Sequence, residues 1–163
     1  KLLMHMKKMI KINYFLLSSN WSKRLIKIKK ITNNVIKEKI NLKFNHKINY
    51  YLNIILANDA SVKKLNLKYR RKNKTTDVLT FVNEIKQSNK KTYKYCDIFF
   101  SAETIKLDAK KNNIDFYDNF CHLLIHSFLH INGYYHNNIN DFEKMKKKEV
   151  KILNKIGLEN PYY

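Results

Sequence analysis

Apolar and polar residues alternate with changing periods along the chain, and these periods predict the order of strands and helices. Alternation at every second residue, or a dense β-branched and aromatic run, indicates a strand, whereas apolar spacings of three and four indicate an amphipathic helix. Strands are predicted at residues 6–16, 48–57, 77–82 and 97–101, and helices at residues 22–40, 62–69, 102–112, 120–131 and 139–156. Ser22 is the expected cap of the first helix, and residues 83–94 are expected to be a polar, mobile loop. Intermixed strands and helices predict an α+β fold, with a single mixed β-sheet of about four strands covered by about five helices.

The length and hydrophobic content predict one domain with a real core, spanning residues 1–163. Residues 1–5 are a candidate upstream extension, since Met4, Met6 and Met9 each offer a start. The basic stretch 6–16 also has some features of a targeting segment, but it lacks arginine and its apolar part is short, which favours the strand. The apolar runs are too short for a membrane helix.

The charge balance predicts a polyanionic partner. Thirty-three basic residues against thirteen acidic ones give a formal charge of +20, which favours nucleic acid. Lysine, asparagine, isoleucine and tyrosine are abundant throughout while there are only two glycines, so part of this charge is compositional drift. Cys96 and Cys121 are too few for a disulfide framework, and a reducing compartment is expected.

Four of the six histidines lie between His122 and His136, and their spacing predicts a metal site. His126 and His130 are four residues apart and therefore share one face of the predicted helix. Gly133 is predicted to end that helix and to let His136 fold back toward them. Three imidazoles with an open fourth position are typical of catalytic zinc. His122, one turn earlier, is an alternative to any of the three, but three successive helical turns converge poorly on one ion. It is therefore predicted to support the ligands from behind or to pack.

Three blocks of the sequence, in order, resemble the YbeY endoribonuclease family. The first is LNLKYR at 65–70 followed by TDVLTF at 76–81, and the second is DIFFS at 97–101. The third is the histidine block, which is similar to the family pattern H-G-x-L-H-L-x-G-Y-D-H, and the ending GLENPY at 157–162 also resembles the family's. The resemblance covers the chain from about residue 45 onward.

The resemblance implies a zinc-dependent, single-strand-specific endoribonuclease. It implies that His126, His130 and His136 bind one zinc ion, and that Arg70 and His126 are catalytic. The family acts in small-subunit rRNA maturation, including 16S rRNA 3′ end processing, and in ribosome quality control. The implied partners are single-stranded RNA, ribosomal RNA and the small ribosomal subunit, with no membrane and no small-molecule cofactor. The implied location is a bacterial-type cytoplasm, and an organelle remains an alternative.

Four positions depart from the family pattern. Ser127 replaces a glycine, Tyr135 an aspartate, Thr75 a proline and Cys96 a glycine. Tyr135 removes a carboxylate beside the last ligand, where it would orient a ligand or water. We expect this change to affect the rate more than metal binding.

Phosphodiester cleavage builds negative charge on phosphorus, which a guanidinium meets with two parallel hydrogen bonds. Arg70, beside a basic loop, suits that role. Arg71, Lys72 and Lys74 are predicted to hold the RNA backbone. Asp77 is predicted either to orient Arg70 or a ligand histidine, or to be a structural turn residue.

Two other functions fit parts of the sequence. A zinc peptidase shares H-x-x-x-H, but the H-E-x-x-H type needs a glutamate where Ser127 stands, and no carboxylate lies between His122 and His136. A non-catalytic, metal-stabilised RNA-binding assembly factor is the other alternative, and Tyr135 favours it.

Overall fold

The computed structural model describes residues 10–162, which form one mixed sheet and five α-helices. The strands are β1 (Ile10–Leu16), β2 (Ile48–Ala57), β3 (Val78–Lys86) and β4 (Thr92–Ser101). The helices are α1 (Leu25–Ile36), α2 (Asp59–Arg70), α3 (Ala102–Lys111), α4 (Phe116–Ile131) and α5 (Ile139–Lys155). The predicted α+β class, with about four strands and five helices, is confirmed. The predicted strand residues 6–9 lie outside the described part of the chain.

The sheet has the order β1-β2-β4-β3. Strands β1, β2 and β4 are parallel, and β3 runs antiparallel to β4 at the edge. The prediction of a mobile loop over residues 83–94 is wrong, because Glu84 pairs with Lys94 and Ile85 with Tyr93 in a continuous hairpin. The Lys94 ammonium lies 3.6 Å from the Glu84 carboxylate, an opposite-charge cross-strand contact that favours this register.

Side chains alternate between the two faces of the sheet and pack against two separate clusters. Leu52, Ile54 and Ile98 belong to the main core, which also contains buried residues of α1, α4 and α5. Phe99 and Leu79 belong to a smaller cluster with Val62 of α2 on the opposite face. Helix α2 therefore lies across the sheet from α4.

The first helix is shorter than predicted. Ser22 does not cap it; the Ser18 side chain instead accepts from the backbone N–H of Asn20 and begins a 3-10 turn. That turn inserts Trp21, fully buried, whose indole N–H donates to the Ala57 carbonyl at 2.8 Å. The chain becomes α-helical only at Leu25.

Within residues 10–162, no helix is long and apolar enough to cross a membrane. Helix α5 follows the predicted limits closely, and it buries Met145, Glu149, Ile152 and Leu153 while 42% of the Phe142 surface stays exposed.

Candidate metal centre and adjoining cleft

Helix α4 carries the first two histidines of the candidate site. It begins earlier than predicted because the Asp115 carboxylate caps it, accepting from the backbone N–H groups of Tyr117 and Asp118. Most of its apolar residues are buried, and it contacts α1, α3, α5 and β3. His126 and His130 are only partly buried and line the side of α4 that faces β3.

The turn after α4 returns the chain toward these two histidines. Gly133 has φ +92°, a left-handed conformation, and no heavy atom lies within 4 Å of the position a Cβ would take. The N–H of Tyr134 then donates to the Leu129 carbonyl at 3.0 Å. This turn is the helix ending that was predicted at Gly133, and it places His136 beside His126 and His130.

The three imidazoles converge on one point. The Nε2 atoms of His126 and His130 are 2.9 Å apart, and one ring nitrogen from each of His126, His130 and His136 lies within 4.8 Å of the others. Tetrahedral zinc, with bonds of about 2.0–2.1 Å to nitrogen, places its ligand nitrogens roughly 3.3 Å apart. The donor set and spacing therefore fit a divalent ion, and these three residues could hold one.

His122 does not join the group. Its Nε2 atom lies 2.9 Å from Oε2 of Glu149 on α5, so it faces away from the three converging rings. His122 therefore lies on the Glu149 side of α4, outside the three-histidine group.

Glu149 is a component of the site that the sequence reasoning missed. Its side chain is fully buried, and its Oε1 atom is hydrogen-bonded to Nδ1 of His126. Its Oε2 atom accepts from the hydroxyl of Tyr162 as well as contacting His122. The sequence did contain a signal for Glu149, because it shares the buried face of α5 with Met145, Ile152 and Leu153. A glutamate is almost never fully buried unless it has a partner.

Two pKa values in the site are shifted toward the forms that metal binding requires. Burial, followed by the electrostatic effect of the neighbouring rings of His126 and His136, lowers the pKa of His130 to about 4, so its imidazole is neutral at pH 7. Burial alone would raise the pKa of Glu149, but hydrogen bonds from His122 and His126 lower it to about 2. Metal ligands of this type must be neutral imidazoles, and the carboxylate behind them is ionised.

An open cleft of about 580 Å³ adjoins the three histidines. One wall is formed by β3 and the other by α4 and its following turn. The cleft is lined by Arg70, Thr76, Asp77, Val78, Thr80, Val82, Leu123, His126, His130, Tyr135 and His136.

Although α2 lies across the sheet from α4, its last residue, Arg70, reaches this cleft. Arg70 is solvent-exposed, and across residues 10–162 no carboxylate is within ion-pair distance of it.

The other predicted basic residues lie beside the cleft. Arg71, Lys72 and Lys74 are exposed and belong to the loop that leads from α2 to β3, but they do not line the cleft itself. Asp77 lines the cleft, yet its carboxylate accepts from the Val78 N–H at 2.7 Å and the Thr76 hydroxyl at 3.1 Å. These contacts are local to the turn before β3, and the structure shows no ion pair between Asp77 and Arg70.

The four departures from the family pattern are accommodated differently. Ser127 is buried and its hydroxyl donates to the Leu123 carbonyl at 2.9 Å, while the Thr75 hydroxyl donates to Asp59 at 3.1 Å. Cys96 is buried within β4, and burial raises the pKa of its thiol to about 12. Tyr135 alone projects toward solvent, 55% exposed, with its ring centroid 6.0 Å from that of His130.

The mixed sheet, the central helix α4 that bears two of the three grouped histidines, and the open cleft lined by Arg70 together define a protein with a candidate metal centre beside a surface cleft. The sequence model of the family described as endoribonuclease YbeY matches residues 17–157. An endoribonuclease YbeY from Ehrlichia ruminantium (strain Welgevonden) is 37% identical, covering 94% of this chain and 95% of that protein. One from Buchnera aphidicola is 32% identical, covering 86% and 91%.

The solution structure of TM1509 from Thermotoga maritima is similar to this fold, with a TM-score of 0.52 and 26% identity over 91% of each chain. The chain belongs to the YbeY endoribonuclease family.

Proposed function

We propose that this chain is a zinc-dependent endoribonuclease that cleaves single-stranded RNA. The observation that carries the proposal is the shared cleft: Arg70 lines the same open cavity as His126, His130 and His136. A cation held by the histidines and a guanidinium on the same cavity form a pair of positive groups suited to one phosphodiester. The relatives' name, endoribonuclease, supports RNA as the substrate.

His126, His130 and His136 would hold the zinc ion, which supplies Lewis acidity and a water of lowered pKa when bound. Arg70 is the proposed catalytic partner, donating to the phosphate oxygens as negative charge develops on them. His126 is catalytic in the sense that it holds the ion at the reacting phosphate. Arg70 is free for this task because it is exposed and no acidic side chain pairs with it in the described structure.

Arg71, Lys72 and Lys74 are the proposed contacts to the RNA backbone beside the cleft. All three are exposed on the loop next to Arg70, where cations raise the local concentration of a polyanion. The exposed ring of Tyr135 beside the cleft offers a stacking surface to an unpaired base. A base within a duplex has no free face to offer, which supports a preference for single strands.

We further propose that the substrate is ribosomal RNA of the small subunit, including its 3′ end, and that the reaction takes place in the cytoplasm. The net charge of +20 supports a large polyanionic partner such as a ribosomal particle. Two buried free cysteines are compatible with a reducing compartment.

The site geometry bears differently on the two alternatives, a zinc peptidase and a non-catalytic RNA-binding factor. A peptidase of the H-E-x-x-H type needs a carboxylate facing the substrate, whereas Glu149 is fully buried and touches Nδ1 of His126, behind the ligand. A non-catalytic RNA-binding factor is favoured only by Tyr135, which stands where the family pattern has an aspartate.

The test compares cleavage of a labelled single-stranded RNA by wild type, Arg70→Glu and His126→Ala, with zinc content measured for each. Lys64→Glu is the matched control for charge, because Lys64 is exposed on the same helix as Arg70 and does not line the cleft. We expect Arg70→Glu to abolish cleavage and keep its zinc, His126→Ala to lose both, and Lys64→Glu to retain both. Cleavage that survives both site substitutions would overturn the proposal, and a wild type that binds RNA without cutting it would favour the assembly factor.

A further inference from the structure

We infer that Glu149 is a positioning residue for the metal centre, which fixes the tautomer and the orientation of His126, and that His122 and Tyr162 hold its carboxylate in place. This inference deepens the proposed function and rests on it for the identity of the ion. It concerns residues from three separate parts of the chain: α4, α5 and the segment that follows α5.

The contact with Glu149 determines which nitrogen of His126 carries the proton. An ionised carboxylate only accepts hydrogen bonds, so the contact between Oε1 of Glu149 and Nδ1 of His126 requires Nδ1 to carry the hydrogen. Nε2 of the same ring then carries no hydrogen and has a lone pair free for a cation, and it is the atom that lies 2.9 Å from Nε2 of His130. Glu149 therefore selects the form of His126 that can bind a cation at the point where the three rings meet.

The Glu149 carboxylate lies in the core and therefore needs hydrogen-bond donors around it. The side chain of Glu149 has no exposed surface, and a buried charge without partners is strongly destabilising. Here the carboxylate has three donors: His126 on Oε1, and His122 and the Tyr162 hydroxyl on Oε2. Burial and the hydrogen bond to Glu149 both raise the pKa of Tyr162, so its hydroxyl stays a donor.

His122, the fourth histidine of the block, contacts Glu149 and lies outside the three-histidine group. Because Nε2 of His122 lies 2.9 Å from a carboxylate oxygen, that nitrogen is protonated and is not a ligand. The ring of Tyr162 lies edge-on against that of His122, at 5.5 Å between centroids, so the two residues that bind Oε2 of Glu149 also pack against each other. His122 and Tyr162 thus act through Glu149 and not on the ion.

The decisive experiment measures the zinc Kd of wild type, Glu149→Gln and Tyr162→Phe by competition with a chromophoric chelator. Glu143→Gln is the matched control, because it makes the same change on the exposed side of the same helix. Loss of a hydrogen-bond partner of this type weakens metal binding by about 10- to 100-fold. We expect that loss for Glu149→Gln, a smaller loss for Tyr162→Phe, and none for Glu143→Gln.

Two further measurements separate positioning from simple stability. Imidazole NMR of the metal-free chain should show His126 as the Nδ1–H tautomer in wild type and as a mixture in Glu149→Gln. A Glu149 that only stabilises the fold would lower the thermal midpoint and leave both the tautomer and the zinc Kd unchanged, and this result overturns the inference. If Glu149→Gln does not fold, Tyr162→Phe decides, and an unchanged zinc Kd in that variant also overturns it.

Failure of the inference and failure of the proposed function are distinguishable, since the zinc Kd is measured without RNA. Weakened zinc binding in Glu149→Gln, with no RNA cleavage by wild type, supports the inference and overturns the function. Cleavage by wild type, with an unchanged zinc Kd in Glu149→Gln, overturns the inference alone.

Discussion

The hydroxyl of Tyr50 on β2 donates a hydrogen bond of 3.0 Å to Oδ1 of Asn132, the residue that ends α4. The same hydroxyl accepts from the backbone N–H of Asn45 at 3.1 Å, and the Asn132 amide donates to the Leu42 carbonyl at 2.8 Å. These bonds join the sheet and the segment before β2 to the start of the turn that carries His136. The position of the third histidine therefore depends on contacts far away in the sequence.

Tyr50→Phe tests this connection. The substitution keeps the buried ring but removes its hydrogen bonds to Oδ1 of half-buried Asn132 and from the Asn45 N–H. Loss of a typical intramolecular hydrogen bond costs about 0.5–1.5 kcal/mol. We expect a loss of that size in the free energy of unfolding, measured by urea denaturation. Tyr51→Phe is the control, since Tyr51 is on the other face of β2 and only partly buried. Equal stability of the two variants would contradict the prediction.

The glycine after α4 should matter for the metal as well as for the fold. Gly133 and Gly157 both have positive φ, at +92° and +82°, and neither has a heavy atom within 4 Å of a Cβ position. Alanine at either position therefore costs about 1–2 kcal/mol from backbone strain alone. Because only Gly133 precedes a candidate ligand, Gly133→Ala should also weaken zinc binding, and Gly157→Ala should not. Equal zinc Kd values for the two variants would show that this turn does not position His136.

The zinc ion should stabilise the folded chain through these same ligands. At a free zinc concentration 100 times the Kd, binding adds about 2.7 kcal/mol to the free energy of unfolding. Chelation should remove that increment from wild type, while His130→Ala should be insensitive to chelator because its zinc is already lost. His46→Ala is the control, since His46 is exposed and does not belong to the three-histidine group. A thermal midpoint that is independent of zinc in wild type would argue against a bound ion.

The histidine helix and the second strand show what local pattern predicts well. Residues 48–57 form a strand within their predicted limits, because a buried central strand is apolar and β-branched on both faces. His126, His130 and Gly133 are close in sequence, so helical spacing and one turn were enough to bring the ligands together. The edge strand β3 was cut short in the prediction because both of its faces beyond Phe81 are exposed, which removes the alternating pattern.

Glu149 and Arg70 show what local pattern does not reveal. Glu149, the partner of His126, is 23 residues away along the chain. It lies on a lysine-rich helix, where one buried carboxylate does not stand out in the sequence. Arg70 reaches the cleft from the opposite face of the sheet, a placement that depends on the strand order and not on its neighbours in sequence. Tertiary packing decides both positions.

Asp59 should make the fold sensitive to acid. Burial raises the pKa of its carboxyl, but hydrogen bonds from Ser101, Thr104 and Thr75 outweigh burial, so the pKa is lowered from its ordinary value of 3.8. A lowered folded-state pKa adds stability above the unfolded pKa, which is lost as the pH falls below about 4. Asp59→Asn should therefore be less stable at pH 7 and lose less further stability on acidification.

Asp118→Asn is the control for that titration, because burial and the charge of Asp115 raise the pKa of Asp118 instead. A raised pKa in the folded state acts in the opposite direction: the free energy of unfolding falls as the pH rises and the Asp118 carboxyl ionises. Denaturation curves at several values between about pH 2 and pH 7 give both slopes. The same pH dependence in Asp59→Asn as in wild type would contradict the prediction.

Tyr135 should contribute to RNA binding through its ring. Its side chain is 55% exposed and lines the cleft beside His130, where an unstacked base could cover it. Stacking of one base on an aromatic side chain is worth about 1–3 kcal/mol, or roughly a 5- to 150-fold change in Kd. Tyr135→Ala should weaken binding of a short single-stranded RNA by such a factor, whereas Tyr135→Phe should bind like wild type, and zinc content should be unchanged in both. If Tyr135→Phe loses as much affinity as Tyr135→Ala, the hydroxyl and not the ring makes the contact, and stacking at this position is excluded.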